Sequence, residues 1–107
     1  MGRYLNVIPL SQPADVLIVK VNDYLRSEGF AKDPKVGAWS NGGTMVAPQF
    51  IKVEPGPGGM VVEAWLKWAI LPGVYAGEMG LDGFIAVIPK KMLKGRVEVI
   101  ERILKGG

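Results

Sequence analysis

Apolar residues recur at steps of three and four residues in the first third of the chain. This spacing predicts a helix over residues 13–28, with the hydroxyl of Ser11 as the expected cap at its start. Gly29 follows this stripe, and a glycine at this place typically ends a helix in the left-handed conformation. We expect Phe30 to pack back onto Leu25, as residues after such a glycine commonly do.

Runs of strand-forming residues predict strands before and after this helix. The stretches are residues 3–8, 35–40, 44–53 and 60–70. Asn41-Gly42 predicts a tight two-residue hairpin between the second and third of them. Pro48 marks a bulge or an edge position, because proline has no amide hydrogen to donate to a ladder. A second hairpin follows, since residues 55–59 consist of proline and glycine.

The apolar pattern sets the register of the second hairpin. Every even position of the last strand is apolar: Met60, Val62, Ala64, Leu66, Trp68 and Ile70. Pairing Val53 with Met60 places the apolar residues of both strands on one face and brings Lys52 near Glu63 on the other. The strand residues predicted to pack against the helices are Val62, Leu66 and Trp68.

The end of the chain predicts a second helix over residues 89–106, in which Gly95 is a place where the helix can break. Before it, residues 74–83 predict an ordered glycine-rich loop, and residues 84–88 fit a short strand and the start of the helix equally well. The order β-α-β-β-β-(β)-α predicts an α+β fold. We expect a two-layer sandwich, with a mainly antiparallel sheet of four to five strands and two helices packed on one face.

Composition narrows the class of protein. The chain has 107 residues, of which 49% are hydrophobic, and this predicts a single α+β domain over residues 1–107. It contains no cysteine, so we expect neither disulfides nor thiolate metal sites and, by default, a cytoplasmic location. The sequence holds no apolar run of membrane-spanning length, and its first residues lack the apolar stretch of a secretory signal.

The absence of histidine weighs against catalysis, because it removes the usual general base near neutral pH. An enzyme would depend on carboxylates, and the candidates are Glu63, Glu78 and Asp82. Residues 73–83 suggest a ligand loop, but their two carboxylates would repel an anion and are too few for calcium. A tight surface loop explains the segment as well. We therefore predict no catalytic residue, no metal site and no cofactor.

The first binding hypothesis concerns the outer face, by which we mean the face of the sheet turned away from the helices. Phe50 and Trp65 lie on it, and Trp39 joins them if the first hairpin has the predicted register. A large exposed apolar patch usually marks an interface. The alternative is that residues 74–88 fold across this face and bury the aromatic side chains.

The second binding hypothesis concerns the basic carboxy-terminal helix. Residues 90–105 carry six basic and two acidic side chains (+4), whereas the first 89 residues carry seven basic and eight acidic ones (−1). Glu98 with Arg102 and Glu101 with Lys105 are at the favourable i,i+4 spacing. This leaves four cations at the helix start as a candidate anion site: Lys90, Lys91, Lys94 and Arg96. The alternative is an ordinary solvated helix surface.

These features favour a non-catalytic binding or assembly module that self-associates, or binds another protein, through an apolar sheet face. The alternative function is an anion-binding module that contacts nucleic acid or an anionic membrane surface through the basic helix. A small enzyme that uses carboxylates is the third hypothesis. The sequence shows no motif that chooses among them.

Overall fold

The computed structural model describes residues 3–35, 37–41, 48–71, 74–81 and 87–106; for residues 68–71, 74–79 and 87–89 it describes the backbone alone. The elements, in chain order, are β1 (Tyr4–Ile8), α1 (Ala14–Ser27), β2 (Ala31–Asp33), β3 (Ala38–Asn41), β4 (Gln49–Gly56), β5 (Gly59–Leu71), β6 (Val74–Met79) and α2 (Val87–Leu104).

The strands form one antiparallel sheet in the order β1-β5-β4-β3-β2. β1 pairs with residues 60–64 of β5, and β6 pairs with residues 66–71 of the same strand. Both helices pack on one face of the sheet, so the structure confirms the predicted two-layer α+β fold. The three-residue β2 has no sequence signal of its own and adds a strand that the prediction did not contain.

The main core lies between the helices and the sheet. The helices contribute Leu17, Val21, Leu25, Leu93, Val97, Ile100 and Leu104, and β4 and β5 contribute Ile51, Met60, Val62, Ala64 and Leu66. The predicted burial of Val62 and Leu66 against the helices is therefore confirmed. The side chain of Trp68 lies outside the described part.

The end of α1 has the predicted terminator. Gly29 has a φ of 86°, and the N–H of Phe30 donates to the carbonyl of Leu25 at 2.9 Å. The predicted cap at the other end is wrong, because Pro13 occupies the cap position. The Ser11 hydroxyl instead donates to the carbonyl of Leu104 at 2.9 Å, and so it caps the end of α2.

The first hairpin is not the predicted tight turn at Asn41-Gly42. Asn41 is itself a strand residue and pairs with Gln49, so residues 42–48 connect β3 to β4. In this register Trp39 pairs with Ile51, which faces the helices. The predicted tight turn would instead have paired Trp39 with a residue on the outer face, where Phe50 lies. Because neighbouring residues of a strand point to opposite faces, an odd shift of register moves Trp39 to the other face.

The second hairpin keeps the predicted faces but shifts the register by two residues. Val53 pairs with Val62 rather than with Met60, and Lys52 lies directly opposite Glu63. The turn is short, because Gly56 pairs with Gly59 and only two residues lie between them. The backbone at Gly59 has a φ of 145° and passes so close to β1 that an added Cβ would stand 2.1 Å from the carbonyl oxygen of Ile8.

The segment before α2 departs from the prediction. Residues 74–79 form β6 rather than an ordered loop, and residues 82–86, which contain most of the ambiguous stretch 84–88, lie outside the described part. α2 begins at Val87, which places Pro89 in its first turn, and it continues through Gly95 without a break. Within the described residues, neither helix is long and apolar enough to cross a membrane.

Candidate functional site

The aromatic pair on the outer face is present but covered. Phe50 lies directly opposite Trp65, and their rings stack with centroids 5.4 Å apart and planes inclined by 6°. The Arg3 guanidinium lies 3.7 Å from the centre of the Trp65 ring, and the Lys67 ammonium lies 5.1 Å from that of Phe50. Trp65 is 0% and Phe50 is 6% exposed. The pair therefore forms a second small core with Ala38 rather than an open patch.

Trp39, the third predicted member of the aromatic patch, lies on the opposite face of the sheet. It is buried in the main core, and the side chains of Arg26 and Lys32 lie 5.3 and 5.5 Å from its ring centre. The structure thus brings Phe50 and Trp65 together and separates Trp39 from them. The physical reason is the odd register shift between β3 and β4.

Among the described residues, the exposed large apolar side chains of the outer face lie on β1 instead. Leu5 and Val7 project from this face, because they pair with Glu63 and Val61 of β5, and both are exposed. We call these two residues the β1 row. The β1 row is absent from the sequence-based prediction, which places residues 3–8 in a strand without giving its faces. The sequence gives no useful signal, because Leu5 and Val7 alternate with a polar residue and so resemble a buried face. In the structure Ile8 belongs to the core, and this turns Leu5 and Val7 outward.

The charged side chains beside the β1 row are balanced. Arg3 forms an ion pair with Glu63 at 3.4 Å, and Lys52 forms one with Glu54 at 3.6 Å. Each pair contains one cation and one acid, so this part of the outer face carries no net charge. The predicted proximity of Lys52 and Glu63 is also present, since the two residues are cross-strand partners.

The candidate anion site at the start of α2 is divided by the fold. Arg96 turns inward: its guanidinium binds the Glu28 carboxylate at 3.1 Å and the side-chain oxygen of Gln49 at 2.6 Å. Lys90 is buried as well. Lys91 and Lys94 are exposed. The four cations therefore do not form one surface cluster, because α2 directs Lys90 and Arg96 away from solvent.

The last turns of α2 also differ from the expected pattern of ion pairs. The Glu101 carboxylate accepts hydrogen bonds from the Tyr4 hydroxyl at 2.5 Å and from the Asn6 amide at 3.1 Å, and it does not pair with Lys105. Burial of the phenol, together with its hydrogen bond to Glu101, raises the pKa of Tyr4 to about 12. Arg102 and Lys105 both lie exposed on the surface of the helix.

Of the three carboxylates considered for catalysis, Glu63 alone has a side chain in the described part of the chain. Glu63 lies on the outer face and binds Arg3. Glu78 belongs to β6, for which the backbone alone is described, and Asp82 lies outside the described part, as does much of the glycine-rich segment 73–83.

Comparison of the chain with protein-family models, with curated proteins and with solved structures finds no match to any of them.

Proposed function

We propose that this protein is a non-catalytic assembly module that self-associates through the outer face of its sheet. The observation that carries the proposal is the β1 row, in which Leu5 is 59% exposed and Val7 stands beside it on the same strand face. Side-by-side apolar side chains on a sheet surface are stabilised when a partner removes them from water. The row replaces Phe50 and Trp65 as the predicted contact, since those two are already covered.

A second copy of the chain is the partner that the charges favour. The chain has a net charge of +3, which makes its copies repel one another, but the excess lies on the carboxy-terminal helix. The outer face is on the other side of the sheet, and the ion pairs Arg3–Glu63 and Lys52–Glu54 balance the charge beside the β1 row. Two copies can therefore meet there without like-charge repulsion, and the cations of one copy can approach the acids of the other.

The contact is expected to be weak. Full burial of an apolar side chain of this size contributes about 1.5–3 kcal/mol. Association also loses about 4 kcal/mol or more of translational and rotational freedom. Leu5 and Val7 are already about half covered, so two of each gain roughly 3–6 kcal/mol on association, which is close to that loss. We expect a monomer–dimer equilibrium that is visible only at high protein concentration.

Sedimentation velocity over a range of concentrations tests this proposal with Leu5→Lys. The new cation stands opposite Glu63, which favours the folded monomer, but it places a charge in the middle of the apolar row. We expect the wild type to shift towards dimer as the concentration rises, and Leu5→Lys to stay monomeric at every concentration.

Val19→Lys is the matched control, because Val19 is 58% exposed on α1 and so presents nearly the same exposed fraction on the helix side of the molecule. It should associate like the wild type. A wild type that remains monomeric at the highest concentration would contradict self-association. A wild type that stays monomeric yet binds another protein through Leu5 would show that the row serves a different partner.

A further inference from the structure

The exposed surface of α2 carries a set of cations different from the one that the sequence indicated. With Arg96 and Lys90 turned inward, the exposed basic side chains are Lys91, Lys94, Arg102 and Lys105. We call these four residues the cation stripe. At 3.6 residues per turn they fall within about 80° of one another around the helix axis. They form a single line along one side of α2.

The cation stripe keeps its positive charge available to a partner. None of its four members forms an ion pair with another described residue. Glu101, the acid expected to neutralise Lys105, is held by Tyr4 and Asn6 on the flank of the helix. Glu98 is the one acid within the same 80° sector, and it stands between the two halves of the stripe.

The four cations are grouped in two pairs. This spacing matches the two phosphate backbones of a duplex better than the continuous negative surface of a bilayer. Lys91 with Lys94, and Arg102 with Lys105, form two cation pairs whose midpoints are about 16 Å apart at 1.5 Å per residue. The major groove of a DNA duplex is about 12 Å wide between its two phosphate backbones, so side chains of this length reach both of them. Glu98 then lies over the groove, away from either row of phosphates.

We infer that α2 binds double-stranded DNA by placing its two cation pairs on the phosphate backbones that border one groove. An anionic bilayer fits this surface less well, because helices that lie on membranes insert an apolar face, and the apolar face of α2 is buried in the main core. α2 contains no aromatic residue, so base stacking on a single strand is not expected. The contact is with phosphates and is therefore independent of base sequence.

The salt dependence of binding to a short fluorescent DNA duplex measures the number of phosphate contacts. Four contacts predict a slope of about −3.6 in a plot of log affinity against log salt, or about a 150-fold loss between 50 and 200 mM salt. Lys91→Gln with Lys94→Gln removes one pair, and the slope should fall to about −1.8, or about a 12-fold loss over the same range.

Lys20→Gln with Lys35→Gln is the matched control, because it removes the same charge from two exposed lysines outside α2. This control should keep the slope of the wild type. If both double variants lost the same amount of slope, the effect would be one of net charge, and the inference would be wrong. It would also be wrong if the wild type did not bind the duplex at low salt. Tighter binding to phosphatidylserine-containing vesicles than to the duplex would overturn it in favour of a membrane. Self-association does not bear on the result, since the β1 row lies on the other side of the sheet.

Discussion

At the scale of single residues, α2 shows how neighbouring cations acquire different roles. Lys94 and Arg96 are two positions apart, and the sequence predicts that both are charges on the surface of the helix. In the fold, Arg96 crosses from α2 to bind Glu28, at the end of α1, and Gln49, at the start of β4. Gln49 is 2% exposed, so its side-chain oxygen depends on the guanidinium for a hydrogen bond. Arg96 therefore joins three elements of the fold, whereas Lys94 is exposed on the surface of α2.

Arg96→Ala should therefore lower the free energy of unfolding by about 2–3 kcal/mol, since it removes a charged hydrogen bond and leaves a buried acceptor unpaired. Lys94→Ala, at an exposed position of the same helix, should change it by less than about 0.5 kcal/mol. Urea unfolding of both variants measures the difference. Equal effects in the two variants would mean that the buried contact of Arg96 contributes nothing to stability.

Residue patterns correctly predicted that Phe50 and Trp65 share the outer face and wrongly placed Trp39 beside them. The stacking partners Phe50 and Trp65 follow from the apolar alternation along β5, because any register that keeps this alternation places both on one face. The position of Trp39 depended on the turn at Asn41-Gly42, for which the sequence offers a strong local signal and the fold uses a longer connection. A turn motif cannot reveal that its first residue is already part of a ladder.

At the scale of elements, helices were predicted well and short strands were not. The stripes of α1 and α2 are local and repeat over several turns, so their ends were predicted to within two residues. β6 has no comparable pattern. It pairs with residues 66–71 of β5, which lie beyond the stretch 60–64 that pairs with β1, and it forms a strand because this edge of β5 offers unpaired backbone there. The three-residue β2 depends in the same way on β3.

Gly95 gives a test of the α2 element. It lies in the exposed interior of the helix, and nothing stands within 4 Å of where a Cβ would be, so Gly95→Ala should raise the free energy of unfolding by about 1 kcal/mol. Gly59→Ala is the contrasting variant, because its Cβ would collide with the Ile8 carbonyl, and it should lower stability by more than about 1 kcal/mol. Thermal unfolding measures both. A Gly95→Ala variant of lower stability would contradict the unbroken helix.

At the scale of the whole molecule, hydrogen bonds join the two ends of the chain. Tyr4 and Asn6, on β1, bind Glu101, and Ser11 binds the carbonyl of Leu104. These contacts fix the end of α2 over the first strand. These contacts cannot be predicted from the sequence, because the partners are more than 90 positions apart and no local pattern connects them.

The Tyr4–Glu101 contact makes stability depend on pH in the alkaline range. The pKa of Tyr4 is about 12 in the folded chain and near 10 when the phenol is exposed, so folding favours the protonated phenol. Its stabilising contribution is complete below pH 10 and is lost as the pH rises from about 10 towards 12. Urea unfolding should therefore show a steeper loss of stability in this window for the wild type than for Tyr4→Phe. Parallel curves would contradict the assignment.

The position of β1 in the sheet has a consequence during synthesis on the ribosome. Tyr4 pairs with Ala64, so 60 residues must be added before this strand can join the sheet. At about 5–20 residues per second the nascent strand waits roughly 3–12 seconds. During that interval Leu5, Val7 and Ile8 form a short apolar segment without the pairing that β5 later supplies. Among the described strands, β1 thus waits longest for its pairing partner, and a chaperone has longer access to it than to any other of these strands.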